Sequence, residues 1–336
     1  MKAVPGKKIS IWNTIALVII SIVGTYSFCN YNRRSSVYES AANATLTKNN
    51  ITCNYNIKRL SGYSFVRPLM FVDDECECEE LFPIRDRINK LIEDYKGSGD
   101  LISASVYLKS YSKNGWVGIN ENERFKPGSL LKVPELIAFL KMDEDHPGFL
   151  NKKLVYDHRT ITDKRPSIVS KSIEPGHSYT IRDLLSYMVI YSDNNATMLL
   201  NANIDVNTFK KVFSDIGLAE PDWRSNDYPI SAKDYSLFMR ELYNASYLSI
   251  EDSEFATELL AKSDFKNGLI KDLPPYLQTA HKFGEAGTNT ELEFHETALI
   301  YLEKGPYLLT VMTKGKDSNK LPQILTQISN IVYQNM

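Results

Sequence analysis

Residues 124–136 read Arg-Phe-Lys-Pro-Gly-Ser-Leu-Leu-Lys-Val-Pro-Glu-Leu, and the rest of the chain can be organised around them. Pro127 and Gly128 end whatever precedes them, and an apolar run with helical spacing then continues to Leu140. Ser129 is therefore expected in the first turn of a helix, with Lys132 three residues on and facing the same way. A serine hydroxyl is a weak nucleophile until a base takes its proton, and a lysine is such a base when burial and neighbouring cations lower its pKa. The free N–H groups at a helix start also point to where an oxyanion forms. The pair fits acyl transfer. Because the same spacing recurs at Ser110/Lys113 and Ser263/Lys266, the remainder of the sequence has to decide among the three.

Outward from this stretch, strand and helix periods alternate. Tyr63 to Phe71 is a short extended segment, and Ile84, Ile88, Leu91, Ile92 and Tyr95 mark one face of a helix. Leu101 to Leu108 alternates as a strand, Asn114-Gly115 is a hairpin turn, and Trp116 to Ile119 begins the return. The far end repeats the theme. Strand-like runs lie near Ala280–Phe283, at Phe294–Leu302 and at Tyr307–Thr313, the last two joined by Lys304-Gly305-Pro306. A final helix carries Leu321, Ile324, Leu325, Ile328, Ile331 and Val332 on one side. Residues 129 to about 275 between these ends read as mostly helical. The expected fold class is α/β: a five-stranded antiparallel sheet built from both ends, terminal helices on one face and an all-helical subdomain on the other. The active site would lie between sheet and insert.

The chain has 336 residues, 39 Lys and Arg against 41 Asp and Glu, and a formal charge of −2, with the cations interspersed among the anions. No basic face marks a nucleic-acid partner. The four cysteines, at 29, 53, 76 and 78, lie far from the Ser129 stretch, so a cysteine nucleophile is not expected. Cys76-Glu77-Cys78 lacks a neighbouring histidine or a second cysteine cluster, and no metal is implied. A disulfide from Cys53 to Cys76 or Cys78 is expected if the domain is exported.

Residues 9–28 carry no charge and are long enough to cross a hydrocarbon layer of roughly 30 Å as a helix. Lys2, Lys7 and Lys8 precede them, which puts the N-terminus (1–8) in the cytoplasm and the rest outside. Tyr26-Ser27-Phe28-Cys29 is a poor cleavage site, so 9–29 is taken as an uncleaved transmembrane anchor. The Asn-, Ser- and Thr-rich residues 30–60 read as a tether, leaving 61–336 as the catalytic domain.

Two further motifs fall inside that domain. Thr180-Ile181-Arg182-Asp183 is a capping box opening a helix that runs into Tyr191-Ser192-Asp193-Asn194-Asn195, where short polar side chains either face a cleft or cap the next helix. His281-Lys282-Phe283-Gly284-Glu285 lies on a predicted strand, where a glycine two after a lysine leaves room for a ligand along the strand edge.

Ser-x-x-Lys, Ser-Asp-Asn and Lys-x-Gly in this order resemble the motif set of the penicillin-recognising serine enzymes, class A β-lactamases and D-alanyl-D-alanine peptidases. Arg124-Phe125, the Asn151-Lys-Lys-Leu-Val-Tyr-Asp stretch, Tyr179-Thr-Ile-Arg-Asp-Leu-Leu and the strand-strand-helix ending extend the likeness from about Ile84 to the C-terminus. The resemblance implies a β-lactamase-like three-layer sandwich. It implies Ser129 as the acylated nucleophile, Lys132 as its activating partner, and Ser192 as the group passing a proton to the leaving nitrogen. Asn194 would hold the substrate amide and Lys132, and Lys282 would attract a substrate carboxylate. Gly284 leaves room along the strand, and the N–H groups of Ser129 and Glu285 would form the oxyanion hole. Asp193 would be a structural acceptor of backbone bonds. The implied substrates are β-lactams or the D-alanyl-D-alanine ends of cell-wall peptides, with no cofactor.

Two departures stand out. Phe283 occupies the position where the family carries Thr or Ser. The stretch Leu218–Tyr228 is shorter than the loop that holds the family's deacylation glutamate, and Glu220 lies early in it. His295 is a second candidate base, against which stands the ordinary role of a strand histidine as a satisfied core residue.

Overall fold

The computed structural model describes residues 46–48, 51–157, 170–222, 228–288 and 290–336. The expected anchor at 9–29 and most of the expected tether lie outside them. Among the described residues no helix is long and apolar enough to cross a membrane. The chain divides into two compact units, Met1–Asn54 and Tyr55–Met336. Of the first, an antiparallel pair is described, β1 (Leu46–Lys48) with β2 (Ile51–Cys53).

The second unit opens with the antiparallel pair β3 (Tyr55–Arg59) and β4 (Leu69–Asp74). Strand β3 falls inside the stretch expected to be tether. Its signal is five residues long and carries Asn56, Lys58 and Arg59, so neither composition nor period separates it from what precedes. Helix α1 (Phe82–Ser98), β5 (Leu101–Ser110) and β6 (Gly115–Ile119) follow, and Asn114 turns the hairpin at φ +47°. After β7 (Arg124–Phe125) come a 3-10 turn, Gly128–Leu131, and α2 (Lys132–Asp145). Ser129 therefore sits in that turn, and the α-helix proper starts at Lys132.

Between α2 and the closing strands lie β8 (Lys153–Tyr156), β9 (His177–Thr180), α3 (Ile181–Ile190), α4 (Asn194–Asn201), α5 (Val206–Ile216), β10 (Ile230–Ser231), α6 (Ala232–Asn244) and α7 (Ile250–Ala261). The insert is thus mostly helical, with two short β pairs, β8–β9 and β7–β10. The chain ends on β11 (Thr279–Gly287), β12 (Leu292–Ile300), β13 (Tyr307–Gly315) and α8 (Lys320–Tyr333).

The sheet order is β11-β12-β13-β5-β6, antiparallel throughout, so β13 beside β5 joins the two ends of the domain. Alternation along β13 shows why both faces need cover. Tyr307, Leu309 and Val311 point to the layer holding Ile84, Ile88 and Ile92 of α1 and Leu321, Ile324 and Ile328 of α8. Leu308 and Met312 point to the layer of Leu136, Phe139, Leu184 and Phe238 from the helical insert. The result is the expected three-layer arrangement, with the Ser129 turn against strand β11.

One ion cluster fastens the β3–β4 hairpin to the rest of the domain. Arg240 on α6, 2% exposed, donates to Asp73 Oδ2 at 2.7 Å and lies over the Phe71 ring at 4.6 Å, and Lys109 Nζ stands 3.5 Å from the other oxygen of Asp73. Cys76, just after β4, is disulfide-bonded, and Cys78 is a free thiol.

Candidate active site

Two glycines bring the Ser129 turn against strand β11. Gly128 has φ +54°, a conformation that favours glycine, and a methyl group there would overlap the Glu285 carbonyl. A methyl on Gly284 would overlap the Pro127 carbonyl and stand 3.0 Å from Leu130 N. Backbone thus meets backbone, with Ser129 on the turn and Glu285 on the strand, as an oxyanion pocket built from their N–H groups requires. Tyr235 Oη donates to Leu130 O at 2.9 Å and locks the turn from the insert side. Gly284→Ala should force the strand off the turn and slow Ser129 acylation by roughly 10²-fold, the usual cost of misplacing reacting groups by about 1 Å. Rapid-quench acylation rates on the folded variant, alongside a lowered melting temperature, would check this.

The capping box forms as expected: Thr180 Oγ1 accepts from Asp183 N at 3.0 Å and Asp183 Oδ2 accepts from Thr180 N at 3.1 Å. Helix α3 then delivers the Ser192 turn. Ser192 itself has φ +54°, uncommon for a residue with a Cβ and therefore in need of external support. That support is Asp193, 1% exposed, whose carboxylate accepts from Ser172 Oγ at 2.8 Å, Ile173 N at 2.9 Å and Asn195 N at 3.0 Å. Asp193 is both the N-cap of α4 and the clamp on its approach.

Two lysines converge on Ser192. Lys132 Nζ donates to Ser192 O at 2.6 Å and Asn194 Oδ1 at 2.8 Å, and lies 3.1 Å from Ser192 Oγ. Lys282 Nζ lies 3.0 Å from the same Oγ and donates to Phe283 O at 3.0 Å. One hydroxyl is thus bracketed by two amino groups. Burial lowers Lys132 to about 8, against the pull of Glu135 and Asp193. Burial, and after it the Lys132 charge, holds Lys282 well below its usual range. A lysine so placed is an amine in a useful fraction of molecules near neutrality, and Ser192 can relay a proton between it and a leaving nitrogen.

The departures also resolve. The Phe283 ring sits 4.1 Å from Lys282 Nζ and packs on Phe265, with centroids 4.3 Å apart, so an aromatic face takes the place of a hydroxyl beside that lysine. His295 is fully buried: Nδ1 accepts from Thr313 N at 3.2 Å and Nε2 donates to Lys126 O at 3.0 Å. With both ring nitrogens engaged it is a structural residue. Glu220 is exposed on its loop. Glu135, one helical turn beyond Lys132, is a residue that motif reading passed over. Its signal was a lone carboxylate in the apolar run Val133–Ala138.

A turn-borne serine, a buried lysine on the following helix, a serine between two lysines and a strand backbone facing the turn define a serine acyl-transfer enzyme. The profile of the beta-lactamase enzyme family matches residues 83–336, and the chain belongs to that family, as a β-lactamase-like serine hydrolase. Among proteins of curated function, none matches the sequence. Solved structures share the fold. PBP-A, as a point mutant in acyl-enzyme complex with penicillin-G, is 18% identical with a TM-score of 0.62, over 76% of this chain and 96% of that one. A β-lactamase from Chitinophaga pinensis DSM 2588 is 18% identical with a TM-score of 0.63, over 75% and 98%. The carbapenemase VCC-1 from Vibrio cholerae N14-02106 is 20% identical with a TM-score of 0.61, over 74% and 100%.

Proposed function

We propose that the protein acylates Ser129 with β-lactams and hydrolyses the β-lactam amide. The observation that carries this is the Ser192 hydroxyl held at 3.1 and 3.0 Å between Lys132 and Lys282, with Asn194 on the same Lys132. Lys132 as an amine takes the Ser129 proton as Oγ attacks the carbonyl. The oxyanion rests on the N–H groups of Ser129 and Glu285. The proton then passes through Ser192 to the departing nitrogen, and water cleaves the ester. Asn194 orients the substrate amide, and Gly284 leaves the strand edge open to it.

A second reading, a peptidase on D-alanyl-D-alanine ends of cell-wall peptides, is favoured by the exposed position of Glu220 and the fully engaged His295. Neither is poised to activate a deacylating water. In both readings the domain works outside the cytoplasm, tethered by the apolar segment 9–29. The disulfide at Cys76 supports that compartment, since disulfides persist where conditions are oxidising.

Intact mass after benzylpenicillin, followed by a chase in penicillin-free buffer, separates the readings. The expected result is a covalent gain on Ser129. Decay within seconds to minutes marks a β-lactamase, persistence for hours marks the peptidase reading, and no gain at all rejects both.

A further inference from the structure

One helical turn along α2 from Lys132 is a second buried titratable group for which the reaction so far has no use. Glu135 is 7% exposed, on α2 three residues past Lys132. Its Oε1 accepts from Asn201 Nδ2 at 3.3 Å, while its Oε2 and the Asn201 Oδ1 are both buried acceptors with no donor. A carboxylate cannot satisfy that arrangement, because every free position on the two groups is an acceptor. One added proton can: as a carboxylic acid, Glu135 donates through Oε2 to Asn201 Oδ1 and accepts through Oε1, closing an acid–amide ring. Burial works in the same direction, raising Glu135 to about 7 against the Lys132 charge.

We propose that Glu135 controls the proton on Lys132, as a positioning residue that acts through the lysine. The charged groups facing Lys132 are Glu135 on its own helix, Asp193 on the turn before α4 and Lys282 on β11, and those facing Glu135 are Lys132 and the neutral Asn201. While Glu135 holds its proton it places no charge beside the lysine. Where Glu135 has released that proton to solvent, its carboxylate favours the ammonium form of Lys132. Lys132 becomes a base only at a higher pH than its burial alone would require. Glu135 is therefore a brake on the activation of Ser129.

The inference rests on Lys132 being the activating base, and its test is arranged to stand apart from that reading. Glu135→Gln keeps the ring with Asn201 but can never become an anion. The ε-carbon resonance of Lys132, followed by 13C NMR across a pH titration, should move its midpoint down by roughly half a unit or more, the lower range of a nearby charge effect. Benzylpenicillin acylation should gain in step, up to about threefold where the unaltered Glu135 is ionised and not at all at the acid end, where Glu135 is as neutral as Gln, since half a unit of pH is that ratio. A midpoint that stays put or rises overturns the proposal. So does a shift seen with Glu135→Ala but not with Glu135→Gln, which assigns the effect to packing. A shifted midpoint in a protein that takes no penicillin leaves the control of Lys132 standing and rejects the acylation reading instead.

Discussion

Ser129→Ala should abolish penicillin labelling while the melting curve stays where it is. Ser129 is half-buried on a turn whose anchors are other groups: Tyr235 on the Leu130 carbonyl, and Glu293 accepting from Lys126 N at 2.7 Å. Losing the hydroxyl removes the atom that forms the ester and little of what holds the turn. The acylation rate should fall by at least about 10³-fold, the scale on which nucleophile deletions act in serine enzymes. The residue alternatives, Ser110 and Ser263, are both buried, and Ser110 Oγ is engaged with Ser112 Oγ at 3.1 Å. Labelling that survives in the Ser129→Ala protein would remove Ser129 from the mechanism. In the unaltered enzyme the same rate should climb with pH through the lowered Lys132 range, because only the amine form of Lys132 accepts the Ser129 proton.

Asp193→Ala should unfold the domain more readily than any other single change around the site. Its carboxylate takes three bonds, and without it the Ile173 and Asn195 N–H groups lose their acceptor and the φ +54° turn at Ser192 loses its clamp. Hydrogen bonds to a charged group are each worth about 1.5–3 kcal/mol, so a loss of about 3 kcal/mol or more is expected even after the carboxylate's own burial cost is relieved. Chemical denaturation checks the figure. Acylation should fall as well, because the Ser192 carbonyl and hydroxyl would no longer meet Lys132 and Lys282. Asp193→Asn, which keeps one carbonyl acceptor, should lose less on both counts.

Much of this was legible in the residues. Sheet and flanking helices follow from periods of two and 3.6, as in Leu101–Leu108 and Ile84–Ile92, and a buried layer needs those periods whatever else the chain does. The Ser192 turn was legible because its helix announces itself with Thr180 and Asp183. The joining of Lys132 to Lys282 through one hydroxyl was not. It depends on contacts between residues far apart in the chain; the family likeness gave each residue a role, and the three-dimensional structure gave the shared hydroxyl. Glu135 escaped for a related reason: an acidic residue in a helix is ordinarily solvated, and nothing local says that Asn201, far along the chain, will cover it. Strand β3 escaped because its partner β4 makes it a strand, and a short polar segment has little preference of its own.

The Asp73 cluster bears on where the gene is best cut for expression. A truncation chosen from composition alone would start near residue 60, after the polar stretch, and would strip β3 from β4. Strand β4 carries the acid that Arg240 and Lys109 both approach, and both cations are nearly inaccessible to water. Freed of its partner strand, that acid would be lost to fraying, and the buried Arg240 guanidinium would lose the carboxylate it donates to. Soluble protein should therefore be sought from open reading frames beginning ahead of Tyr55.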